Sequence, residues 1–286
     1  MEKLRIGGVP EHFNRPWQRL IESGALRQSG VDLQWRDFPD GSGAMAAALT
    51  RGELDAALLL TEGAVAGIAR GEGFAIASVY TESPLIWGIH VPARSRFTHV
   101  AEIEGATYAI SRLGSGSYLM CFVHAKQQGW PVQNLKFTTV GSLKGAIDAF
   151  AARTADVFFW EKYMTQPAVD AGHFRRIAEF VAPWPAFVLC VAHAALPAQR
   201  RLVAKALALA LAEARRLTGA PGAAEEIAER YGLESQAVRA WLATTRWAER
   251  PGVALDTVAT VADLLRELHL VAPDFDARTL VVPLDR

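Results

Sequence analysis

Short apolar runs alternate with helix-patterned segments along the chain, and this alternation constrains the fold more than any other feature. Strands buried on both faces read as continuous apolar runs, and parallel strands need crossover connections that usually carry a helix. Residues 4–8 are expected as a first strand, 16–23 as a short helix and 31–38 as a second strand. An alanine-rich helix follows over 43–51, then a buried strand over 55–60. Residues 74–80 and 85–91 are extended on either side of Thr81-Glu82-Ser83-Pro84, a turn-like break that marks a first crossover. Beyond it the rhythm restarts, with strands at 108–111, 135–140 and 157–160 and helices at 117–128 and 143–152.

Two stretches echo each other. ALTRGELDAALLL, from Ala48 to Leu60, and AFAARTADVFFW, from Ala149 to Trp160, both run helix, tight turn, aspartate, buried strand, with Asp55 and Asp156 in matching places. The echo reads either as a duplicated lobe or as the repeating supersecondary unit of any α/β chain. Pro183-Trp184-Pro185 is a second rigid break before the apolar run 187–192. From Pro197 the chain is mostly helical, with helices expected to Gly219, over 223–231, over 235–247 and over 255–269. The expected class is α/β, with two Rossmann-like lobes and a helical C-terminal segment. Residues 1–84 start lobe I, 85–184 form lobe II, and 185–286 return to lobe I.

Thirty Lys plus Arg balance thirty Asp plus Glu, so no global field favours nucleic acid, and charge selectivity has to be local. No apolar run is long enough for membrane insertion, so the expected partner is a small molecule. Cys121 and Cys190 lie in apolar surroundings, where a small buried hydrophobe is the usual role. The opening MEKLRIGGVP lacks a basic region followed by an apolar one, which points to a cytoplasmic setting, or a periplasmic one if a signal has been removed.

Ligands of open α/β sheets bind beyond the carboxyl ends of strands. Val9-Pro10-Glu11-His12-Phe13-Asn14 places an acid, an imidazole and an aromatic ring at the first such end, with Asn14 available to cap the next helix. His12 is the histidine placed for general-base work, or more simply for a hydrogen bond to ligand. Asp40-Gly41-Ser42-Gly43 and Arg112-Leu113-Gly114-Ser115-Gly116-Ser117 open helices, either as ordinary caps or as cradles for a carboxylate, sulfonate or phosphate. Arg112 strengthens the second, since a guanidinium pairs an oxyanion bidentately. Thr61-Glu62 and Trp160-Glu161 end the two echoed strands, while Trp87, Trp160 and Trp184 can stack on a planar ligand or fill a core. No nucleophile elbow, zinc spacing, P-loop or dinucleotide fingerprint is present, so no cofactor, metal or catalytic residue is assigned.

Ala48-Leu49-x-x-Gly52-Glu53-Leu54-Asp55, the run from Ala155 to Glu161, and Gly114-Ser115-Gly116-Ser117 resemble the type 2 periplasmic-binding fold. Within it, the chain is similar to the substrate-binding proteins of nitrate, sulfonate and taurine ABC transporters and their relatives in thiamine-pyrimidine biosynthesis. The opening Gly8-Val9-Pro10-Glu11-His12-Phe13 is similar to a narrower subgroup without export signals. The resemblance implies a ligand cleft between two lobes and a solute-binding role, with an ABC-transporter permease as a further partner. It places Glu11, His12, Phe13, Ser42, Thr61, Glu62, Thr81, Arg112, Gly114, Ser115, Ser117, Trp160 and Glu161 on the cleft-lining loops. The alternative is a cytoplasmic enzyme on the same scaffold, of thiamine-pyrimidine or menaquinone-pathway type, with His12 and a cleft acid as acid-base residues.

Overall fold

The computed structural model describes residues 2–284. They divide into two compact units, one built from the residues up to Ser83 and those from Trp184 onward, the other from Pro84–Pro183. In chain order the first unit contributes β1 (Glu2–Gly8), α1 (Arg15–Glu22), α2 (Ala25–Gln28), β2 (Val31–Asp37), α3 (Ser42–Thr50), β3 (Ala56–Leu60), α4 (Thr61–Ala69) and β4 (Phe74–Thr81). The second contributes β5 (Ile86–Pro92), β6 (Thr107–Ile110), α5 (Gly116–Gln128), β7 (Lys136–Thr139), α6 (Leu143–Ala151), β8 (Val157–Glu161), α7 (Gln166–Asp170) and β9 (Phe174–Val181). The chain then returns to the first unit as β10 (Phe187–Ala192), α8 (Leu196–Gly219), α9 (Ala223–Tyr231), α10 (Ser235–Thr244) and α11 (Leu255–Glu267).

Each unit holds one five-stranded sheet, in the orders β2-β1-β3-β10-β4 and β7-β6-β8-β5-β9. The two orders are the same pattern. Three strands run parallel, and a fourth, β10 or β5, lies antiparallel between the third and the last. Every residue of β10 and of β4 is buried, which is why both read as unbroken apolar runs. In the first unit α1 packs on α8, and α11 on α4.

The echoed segments are equivalent down to single atoms. The Asp55 carboxylate accepts from the Arg5 backbone N–H at 2.7 Å, while the Asp55 N–H donates to the Arg5 carbonyl at 2.9 Å. Asp156 repeats this on Thr107, at 2.9 and 2.8 Å. Each aspartate thereby fixes the register of a first strand against a third, Ile6 opposite Ala56 and Tyr108 opposite Val157. The turn before each aspartate needs a left-handed residue, supplied by Gly52 (φ 71°) in one copy and by Arg153 (φ 57°) in the other. Arg153 carries a steric cost there that glycine does not.

Four elements, α2, α4, α7 and β9, are not announced by the alternation, and several boundaries shift. α4 is buried nearly all round and so shows no amphipathic period. β9 is an edge strand carrying Arg175, Arg176 and Glu179, a polar pattern that blunts an edge. The helix expected over 235–247 ends at Thr244, because Trp247 is drawn into a bridge with Thr81.

Two stability outcomes follow. Asp55→Ala and Asp156→Ala should each cost about 1–3 kcal/mol in denaturant unfolding, by stranding a first-strand N–H. The Asp55 loss should be the larger, because its carboxylate also pairs with the Arg5 guanidinium at 2.6 Å. Gly52→Val should cost about 1–2 kcal/mol from backbone strain alone, whereas Arg153→Gly should stay within about 1 kcal/mol of the parent, relief of strain offsetting the added freedom of the unfolded chain.

Candidate functional site

In the first unit the carboxyl ends of β1, β3 and β4 lie at the edge of the sheet where β10 enters, because β10 runs against β3 and β4. The chain leaves β1 through Gly8, where a Cβ atom would come within 2.5 Å of the Trp35 ring and 2.7 Å of the Asn14 amide, so that only glycine fits without a shift of either neighbour. A tight turn follows, with the Glu11 N–H donating to Val9 O at 2.8 Å and the Asn14 N–H to Glu11 O at 3.0 Å. The Asn14 amide donates to Val9 O at 2.8 Å and makes no cap bond to α1, so it pins this turn and does not serve as the expected cap.

That turn presents Phe13 to a set of aromatic rings. Its carbonyl accepts from the Tyr80 hydroxyl at 3.0 Å and from Trp247 Nε1 at 3.1 Å. Its ring lies 5.0 Å from Phe187 and 5.2 Å from Trp241. His12 is fully buried beside it, 4.2 Å from Trp241 and 6.3 Å from Tyr231. Desolvation lowers the imidazole to about 3, so the ring is neutral at physiological pH. The expected titration near neutrality is therefore corrected. Glu11 keeps partial exposure, but its apolar surroundings raise its carboxyl to about 7.

Thr61 and Glu62 form the first turn of α4, where the helix dipole favours a carboxylate. The Thr61 hydroxyl donates to Pro185 O at 2.5 Å and its N–H to Ala186 O at 3.2 Å, which tie α4 to the segment entering β10. Trp184, on that segment, donates its indole N–H to Glu62 Oε2 at 2.8 Å. Glu62 Oε1 is buried with no hydrogen-bond partner, as is the hydroxyl of Thr81 at the end of β4. A buried polar atom in that state costs about 1–3 kcal/mol. Burial outweighs the indole and backbone bonds and raises the Glu62 carboxyl to about 7. Ser42, at the start of α3, accepts from the Leu60 N–H at 3.0 Å, so its hydroxyl is a brace for the end of β3.

In the second unit, the Arg112–Ser117 loop joins β6 to α5 and is held by its own serines. Ser115 Oγ donates to Arg112 O at 2.7 Å and accepts from the Tyr118 N–H at 3.3 Å, the helix cap. Ser117 Oγ lies 3.0 Å from Ser115 Oγ and accepts from the Ser111 N–H at 3.0 Å. Gly114 turns the loop with φ 74°. With these hydroxyls and the Tyr118 amide engaged, what the loop can offer an anion is the Gly116 and Ser117 amides and the helix dipole. At the end of β8, Glu161 Oε2 accepts from the Met164 N–H at 2.7 Å, and in register it faces Trp87. Trp160 points the other way, stacking on Phe158 at 5.1 Å against the cluster formed with α6, as strand alternation demands. Trp87 is buried against Phe180.

The family described as Ca3427-like PBP matches residues 87–180, which lie within the second unit. Among solved structures, the Candida albicans CA3427 gene product, described as having the generic periplasmic binding protein fold, is 24% identical, covering 99% of this chain and 96% of that one with a TM-score of 0.90. The alkanesulfonate-binding protein SsuA from Xanthomonas axonopodis pv. citri, bound to MOPS, is 18% identical over 98% of both chains, with a TM-score of 0.81. The periplasmic aliphatic sulphonate binding protein SsuA from Escherichia coli is 20% identical, covering 99% of this chain and 92% of that one, with a TM-score of 0.75. The chain has the type 2 periplasmic-binding-protein fold. Comparison with curated proteins gives no match.

Within this fold, the structure gathers Glu11, His12, Phe13, Ser42, Thr61, Glu62 and Thr81 at one end of the first sheet, and Arg112, Gly114, Ser115, Ser117 and Glu161 at strand ends and a helix start of the second. Trp160 is set apart from Glu161 by facing the α6 side. Sequence reasoning missed Tyr80, Phe187, Tyr231, Trp241 and Trp247 as walls of the first group. Tyr80 and Phe187 read only as members of buried strands, and Tyr231, Trp241 and Trp247, distant along the chain, carry no local signal of where they will pack. Among the described residues, no group of three or more His, Cys, Asp or Glu can hold a metal ion, and no helix is long and apolar enough to cross a membrane.

The Glu62 carboxyl holds its proton up to about pH 7 when folded, but only to about 4.5 when unfolded, so its burial penalises folding increasingly as pH rises through that window. Glu62→Gln should therefore match the parent in denaturant unfolding at pH 4 and exceed it at pH 8 by up to about 3 kcal/mol. Equal pH profiles for the two proteins would contradict the burial of an ionisable Glu62.

Proposed function

We propose that the chain is a solute-binding protein for a small polar or anionic organic molecule, held by residues at the carboxyl ends of its strands. The observation that carries the reading is Glu62: one carboxyl oxygen is fixed by Trp184 and the other is buried without a partner, at the end of the sheet where ligands of open α/β folds bind. Natural structures rarely leave such an atom unsatisfied without reason. The serine-braced start of α5 adds amides and a positive dipole end suited to an anionic group, with Arg112 next to them. The structural likeness to sulfonate-binding proteins supports a ligand of this class and an ABC-transporter permease as partner. An enzyme using His12 as acid or base is less well supported, because burial holds that ring neutral.

Mass spectrometry of small molecules released by heat from the purified protein should detect a polar organic compound in stoichiometric amount. Added back, it should raise the thermal unfolding midpoint in a concentration-dependent way, since a ligand bound only by the folded chain stabilises it. An unchanged midpoint at a saturating concentration of the compound would count against the binding role.

A further inference from the structure

The geometry points to Glu62 and Thr81 as a subsite for an N–H-bearing group of the ligand, such as an amine, an amidine or a protonated heterocycle. This rests on the solute-binding reading and narrows it to a substrate class. Leu60, immediately before α4, and Thr81 both pair with Phe187, one from each side of β10. Glu62 and Thr81 therefore flank the same strand entrance, and each brings a buried oxygen with no hydrogen-bond partner. Thr61 is occupied by Pro185 and Ala186, and Ser42 by the Leu60 amide, so these neighbours do not satisfy them.

What can satisfy the pair is set by their chemistry. Beside a cationic group Glu62 is held ionised and then only accepts, and a hydroxyl accepts as well as donates, so the complementary group supplies the hydrogens. The Trp184 N–H already takes one Glu62 oxygen and holds the carboxyl in place, leaving the second for a further donor. The guanidinium groups on α1 are committed elsewhere, Arg15 to Glu22 and Glu226 and Arg19 to Glu213 and Glu226. The rings of Phe13, Phe187 and Trp241 at the same sheet end favour a planar or cationic group. A sulfonate placed against Glu62 would meet a like charge, so an acid-bearing ligand would have to turn its other end toward Glu62.

The test uses the full chain with 15N-labelled tryptophan, the Trp184 indole signal being assigned with Trp184→Phe. Benzamidine and benzenesulfonate serve as probes, since they share a ring and differ in the group attached. Benzamidine should shift the Trp184 signal saturably and bind at least about ten-fold more tightly than benzenesulfonate. Glu62→Gln should weaken it by about ten-fold and Thr81→Val by about three-fold, with the other indole signals reporting that each variant remains folded. A Trp184 signal unmoved by benzamidine overturns the subsite, as does an affinity unchanged in both variants. Equal or tighter binding of benzenesulfonate at Trp184 also overturns it while leaving the solute-binding reading standing; that reading falls separately if purified protein releases no small molecule.

Discussion

One strand in each sheet runs against its neighbours, and the placement of the candidate site depends on it. β10 lies between β3 and β4, antiparallel to both, so its first residues arrive where the other two strands finish. Were it parallel, Trp184, Pro185 and Ala186 would emerge at the opposite edge, and Glu62 and Thr61 would lack the partners that fix them. The hydrogen bonds from Thr61 to Pro185 and Ala186, and from Trp184 to Glu62, are thus consequences of strand direction. β5 does the same in the second sheet, where its Trp87 faces Glu161.

The polar groups at these strand ends divide into those that build and those that are left open to chemistry. Ser42, Ser115, Ser117, Asn14 and Thr61 spend their side-chain bonds on bracing turns and helix starts. Glu62 and Thr81 each retain an oxygen that the surrounding chain does not satisfy. Stability and recognition conflict at Glu62, since an acid in an apolar setting raises the free energy of the folded chain at neutral pH. Such a conflict is expected where a sequence serves a ligand as well as its own fold.

Much of this was legible in the sequence, for reasons that can be traced. Buried strands such as β3 and β10 announce themselves as apolar runs, and the helix starts at Ser42 and Ser115 as glycine-serine turns. Asp55 and Asp156 stood out because their role is local and repeated. α4 escaped because a helix buried on all sides has no polar face to set a period. The same limit hid the aromatic setting of His12: Trp241 and Trp247 lie more than two hundred residues away along the chain and reveal nothing of that contact until it folds. His12 looked like a titratable group at a strand end, and packing made it part of a core.

The discontinuity of the first unit has a consequence for the order of events on the ribosome. The second unit is one continuous stretch, Pro84–Pro183, so all its strands exist once that stretch has emerged. The first unit begins earlier but waits longer, because β3 and β4 have no strand between them until residues 187–192 are made. During that interval two apolar strands have open edges, the condition under which nascent chains mispair. The segment born second is therefore the one positioned to finish first, and the earlier half stays vulnerable until its missing strand is translated.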